Sequence, residues 1–136
     1  MSNVTNLLQS LRNFTSAKAK IVTNLPVYLV IKDTKYGKSL PGKGKKVAAW
    51  IEYNFGRGKS FTIYIDTYVY NKKKNDETFL RNIILHELSH VLQIDTNTNK
   101  LISKHVHGKE FKQGTKKLGV PKSHSGAKYK AVAGGK

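Results

Sequence analysis

The stretch from Asp76 to about Ile94 constrains this chain most. Its apolar residues recur at helical spacing: Leu80, Ile84, Leu88, Val91 and Leu92 line one side, and Phe79, Ile83, His86 and His90 an adjacent one. Asn75 or Asp76 is placed to cap the N-terminus, and the polar run from Asp95 to Asn99 ends the pattern. The spacing therefore predicts the longest helix of the chain, and that helix carries the run His86-Glu87-Leu88-Ser89-His90. At about 100° per residue, His86 and His90 fall about 40° apart around the axis and about one turn apart along it. Two imidazoles so placed can meet at a single Zn2+ at ~2.0–2.1 Å without backbone strain. Glu87 falls about 60° round from His90, too far to ligate and near enough to reach a water activated by the metal. That position suits a general base that later hands the proton on.

A catalytic zinc takes a third protein ligand and keeps one position open. Asp95, His105, His107 and Glu110 are the candidates. Asp95 sits at the end of the motif helix, with no chain reversal to bring it back. His107 lies far enough beyond His90 for a turn and a return, and it opens the next predicted helix. Gly108 follows it and permits close main-chain approach. Glu110 is the second choice, on the pattern of zinc enzymes that take a Glu from a following helix, and His105 is the third. His124 falls in the C-terminal tail, outside the candidate set. Gln93 and Thr96 stand where the long three-His motif of the metzincins needs Gly and His, which excludes that class. Thr96 also excludes the three-His pattern of rRNA-processing hydrolases.

Ahead of the motif, Leu7, Leu8, Leu11 and Phe14 predict a helix over about residues 4–20, with Ser2 or Asn3 as N-cap. Asn24-Leu25-Pro26 breaks it, and Val27–Ile31, Val47–Tyr53 and Phe61–Asp66 read as strands. In the third strand Phe61, Ile63 and Ile65 alternate with Thr62, Tyr64 and Asp66, so one face is expected buried and the other wet. This strand is a candidate for the sheet edge beside the motif helix, where an unfolded substrate could add as a further strand. Residues 32–46 hold three Gly, one Pro and six Lys and read as a basic loop; Asn71–Asp76 reads as another. A last helix is predicted from about His107 to Leu118, with Gly119 at a left-handed C-cap and Pro121 beyond. Residues 122–136 are small, basic and Gly-rich and read as a flexible tail, leaving 1–121 as one domain. A helix, three strands and two helices predict an α+β fold with a small, mainly antiparallel sheet.

Charge narrows the partners. Among 136 residues, 25 Lys and Arg face eight Asp and Glu, for a formal net charge of +17. All but Arg12, Arg57 and Arg81 of those cations are Lys, a hydrated point charge suited to phosphate rather than to bidentate reading of bases. Non-sequence-specific nucleic-acid contact is expected, with Lys43, Lys45 and Lys46 and the triplet Lys72, Lys73 and Lys74 as the candidate phosphate ligands. Trp50, Tyr53, Tyr64, Tyr68 and Tyr70 suit packing better than base stacking. The absence of Cys excludes a disulfide framework, thiolate zinc ligation and a Cys nucleophile. No secretory signal and no apolar run of about 18 residues is evident, so the expectation is a cytoplasmic domain without a membrane partner. The Lys- and Asn-rich character suits a protein encoded by a bacterial virus.

The motif helix, then His107-Gly108-Lys109-Glu110-Phe111, then Leu118-Gly119, together resemble the SprT-like metalloprotease domain. That family's motif is an H-E-x-x-H helix followed by an H-G-x-x-F segment and a nearby Leu-Gly. The likeness is close over about residues 78–120, and upstream it extends to the order of the elements. The resemblance implies a zincin-like fold and one zinc ion held by His86, His90 and His107. It also implies Glu87 as catalytic acid/base, protein substrates, and action near DNA. Lacking Cys, the chain resembles a minimal form without the zinc ribbon that often follows this domain. His105 and Tyr64 are candidates for a second oxyanion stabiliser. The alternative from another class is a non-catalytic DNA- or RNA-binding or virion protein with a structural zinc site. Such a site would be closed by a fourth protein donor such as Glu110 or His105.

Overall fold

The computed structural model describes residues 3–33, 48–102, 105 and 107–125, with side chains from Asn6 onward. Lys43, Lys45, Lys46 and the expected N-cap side chains Ser2 and Asn3 lie outside that set. The chain runs through α1 (Asn3–Ala19), β1 (Val27–Lys32), β2 (Ala49–Asn54), β3 (Ser60–Asp66), α2 (Thr67–Lys73) and α3 (Glu77–Ser89). There follow a 3-10 turn (His90–Gln93), the short strands β4 (Ile94–Asp95) and β5 (Lys100–Leu101), α4 (Lys109–Leu118) and a second 3-10 turn (Lys122–His124). This is an α+β fold, as the order of elements predicts. No helix among the described residues is long and apolar enough to cross a membrane.

The three main strands lie in the order β1-β3-β2. β1 runs parallel to β3, with Val27 opposite Phe61 and Lys32 opposite Asp66. β2 runs antiparallel to β3, with Ala49 opposite Ile65 and Asn54 opposite Ser60. The sheet is thus mixed rather than mainly antiparallel, and β3 is its centre rather than its edge. Alternation along a strand reports which face is buried, not which neighbours flank it, so the lateral place of β3 was not written in its pattern. Phe61, Ile63 and Ile65 are fully buried, and α1, α3 and the sheet share one core around them with Leu11, Leu29, Leu80, Ile83, Ile84 and Leu88. At the free edge of β1 the Arg12 guanidinium donates to the Leu29 carbonyl at 3.1 Å, which occupies an acceptor that another strand would need.

Asp66 is fully buried instead of wet, because it caps α2: its carboxylate accepts from the Tyr68 amide at 2.8 Å. The loop expected over Asn71–Asp76 accordingly begins inside a helix. The last turn of α2 carries Lys72 and Lys73, where cations complement the carbonyl end of the helix. Asp76 caps α3, accepting from the Phe79 amide at 3.1 Å. Two boundaries move. The motif helix stops at Ser89 and tightens into the 3-10 turn, and α4 starts at Lys109, leaving His107 in the turn before it. At the far end of α4, Gly119 adopts φ 69° and ψ 36°, the left-handed cap that its position predicts.

Candidate metal centre

His86 projects from the last turns of α3, His90 from the first position of the 3-10 turn, and His107 from the turn that enters α4. One ring nitrogen from each lies within 4.8 Å of the other two, and Nε2 of His86 is 3.4 Å from Nε2 of His107. Phe111, one helical turn past His107 and fully buried, forms the floor under all three rings. Its ring centroid is 4.9 Å from His86, 4.5 Å from His90 and 4.6 Å from His107. Convergence therefore follows from helix spacing on one side and from the packing of α4 against α3 on the other.

The outward nitrogens fix the inward ones. Nδ1 of His86 donates to the main-chain carbonyl of His124 at 2.5 Å, and Nδ1 of His90 donates to Oε1 of Gln93 at 2.6 Å. A carbonyl oxygen only accepts, so each Nδ1 carries the proton and each Nε2 keeps its lone pair for the cluster. His124 therefore acts on the site through its main chain. It is buried, edge-on to Phe79 with centroids 4.8 Å apart, and its backbone sets the tautomer of His86. Since the contact runs through the main chain, the identity of residue 124 gave no sign of it.

Burial is the main cause of the low pKa of His86, which falls to about 4, with the neighbouring imidazoles pushing the same way. Burial also lowers His90 and His107. Neutral imidazoles at neutral pH are what a metal requires of these ligands. Glu87, next in sequence to His86, is buried, and burial pushes its carboxyl up to about 8. A cation at the cluster would act in the opposite sense and favour the carboxylate.

Other candidates fall outside this group. The three histidines form the cluster without Asp95, His105 or Glu110. Asp95 accepts from the Asn97 amide at 2.9 Å in the turn between β4 and β5. The His105 side chain is exposed, while its carbonyl accepts from the Gln93 side chain at 2.9 Å. Tyr64 points away from α3, on the far face of the sheet, where it stacks on Trp50 at 4.8 Å with the Lys32 ammonium 5.3 Å from its ring centroid. It is not brought to the cluster. Lys72 and Lys74 are exposed, whereas Lys73 is half-buried with its ammonium 4.3 Å from the Phe79 ring centroid.

Three neutral imidazoles, two of them with fixed tautomers, and a buried carboxyl next in sequence to His86 fit a divalent metal ion. Together with the α+β framework, they define a zincin-like domain of the H-E-x-x-H kind. The model of the SprT-like family matches residues 33–131, and the chain belongs to that family. No curated protein and no solved structure gives a match.

Proposed function

We propose that this chain is a zinc-dependent endopeptidase of SprT-like type, cleaving protein substrates in the neighbourhood of nucleic acid. The observation that carries the reading is the convergence of His86, His90 and His107, with the buried carboxyl of Glu87 next in sequence to the first of them. The three imidazoles would hold one zinc ion, which when bound supplies a Lewis acid to activate water and polarise the scissile carbonyl. Glu87 removes the proton from the attacking water and delivers it to the leaving amine. Its buried setting favours the protonated state that the second transfer needs. The absence of a fourth donor from the cluster, among the described residues, supports a reactive site over a bracing one.

An extended substrate segment would lie along β2, the strand at the sheet edge that packs against α3, whereas Arg12 occupies the edge of β1. The net charge of +17, with Lys72 and Lys74 exposed at the end of α2, supports phosphate contact as the means of localisation. The test is digestion of an unstructured protein such as denatured casein, with and without single-stranded DNA, by the wild type and by Glu87→Gln. The expected result is metal-dependent cleavage that falls at least ~100-fold in the variant while zinc content is kept. Equal cleavage by the two proteins would overturn the role of Glu87.

A further inference from the structure

We infer that Gln93 is a positioning residue that locks His90 in one tautomer and ties it to the turn presenting His107, so that the two halves of the metal centre assemble together. The inference rests on the metal-site reading above but is decided by an observable that needs no metal. Gln93 is buried, and both ends of its amide are engaged. Nε2 donates to the His105 carbonyl at 2.9 Å, and Oε1 faces Nδ1 of His90 at 2.6 Å. The His105 carbonyl can only accept, so the nitrogen of the amide must face it and the oxygen must face His90. His90 is thereby obliged to carry its proton on Nδ1.

The second half of the link is main chain. The same His105 carbonyl accepts from the Gly108 amide at 3.1 Å, closing the turn that holds His107. That turn is tight: a Cβ on Gly108 would lie 3.2 Å from the His105 oxygen. One side chain thus joins a ring on the motif helix to the loop that brings the third imidazole. The 3-10 turn is what permits this. At three residues per turn Gln93 eclipses His90, whereas continued α-helix would turn it about 60° aside.

His86 is a built-in control, because its Nδ1 proton is held by the His124 carbonyl and not by Gln93. The experiment records imidazole 15N shifts of the metal-free full-length chain near pH 8 for wild type, Gln93→Met and Gln93→Glu, followed by zinc titration against a competing chelator. The Met variant keeps the length of the side chain and removes both hydrogen bonds. The Glu variant keeps an acceptor for His90 and sets an oxygen against the His105 carbonyl. Expected is an Nδ1–H His90 in wild type and Gln93→Glu, and a shift toward Nε2–H in Gln93→Met, with His86 unmoved in all three. Zinc affinity should fall about 10–100-fold in Gln93→Met. An unchanged His90 tautomer in a folded Gln93→Met overturns the inference, as does a tautomer change shared by His86. Wild type that binds no zinc would overturn the metal reading instead, while the tautomer comparison still decides the role of Gln93.

Discussion

Gly114 of α4 rests directly on Ser89 of α3: a Cβ at position 114 would lie 2.6 Å from the Ser89 carbonyl oxygen and 2.7 Å from its Cα. Ser89 belongs to the His86–His90 run, so this contact sets how near α4 comes to the motif. Phe111 and His107, both N-terminal to Gly114, inherit that approach. Replacing Gly114 by Ala must push the helices apart, because main chain lies on both sides of the clash. A net loss of about 1–2 kcal/mol is expected after the better helix propensity of Ala is allowed for. Zinc affinity should fall with it. Thermal unfolding checks this against Gly58→Ala, where no atom lies within 4 Å and the change should stay within about 0.5 kcal/mol.

Phe111 offers a second test. Truncation to Ala removes a fully buried ring that touches all three imidazoles, and should cost about 3–5 kcal/mol. Leucine keeps most of the volume without the flat floor. Denaturant unfolding and zinc titration of Phe111→Leu should therefore show modest destabilisation, near 1.5 kcal/mol or less, with a disproportionate loss of metal affinity.

The metal-free protein should be most stable at mildly acidic to neutral pH. His86, whose pKa falls to about 4 on folding, binds fewer protons folded than unfolded, so its contribution is lost as pH drops from about 6.5 toward 4. His90 and His107 act in the same direction. Glu87 is opposite: raised to about 8, it holds a proton in the folded chain that the unfolded chain releases near 4.5. Its contribution is present below that value and lost as pH rises through 8. Melting curves in chelator should show decline on both sides. Glu87→Gln should abolish the alkaline decline and leave the acid one.

Nucleic-acid binding, if it runs through lysine–phosphate contacts, should weaken steeply between about 50 and 200 mM salt and show little sequence preference. Lys72→Ala with Lys74→Ala should reduce the salt slope by up to about two units in filter binding or fluorescence anisotropy. Lys73→Ala should act chiefly on stability, since its ammonium already sits over Phe79. Affinity that is flat across that salt range would remove the electrostatic account.

Much of the site was legible because it rests on helix periodicity and local caps. The spacing of His86 and His90 and the left-handed Gly119 are consequences of sequence-local geometry, whereas the return to His107 rests on the packing of α4 against α3. What was not legible depends on lateral or main-chain contacts. Thr67-Tyr68-Val69-Tyr70 has β-branched and aromatic residues that favour strand, yet Asp66 caps it and burial of Val69 and Tyr70 makes it helix. Val91 continues the apolar spacing of α3, which hid the switch to a 3-10 turn at His90 and with it the alignment of Gln93. Gly114 gives no such sign in the sequence, because a glycine inside a helix announces a close approach only once its neighbour is known.

A crystal structure of the zinc-loaded chain tests the central claim most directly. One zinc ion should be coordinated by Nε2 of His86, His90 and His107 at ~2.0–2.1 Å, with the Glu87 carboxylate outside the ligand set and one position open to solvent. A metal held by fewer than those three rings, or closed off by Glu110 or His105, would contradict it.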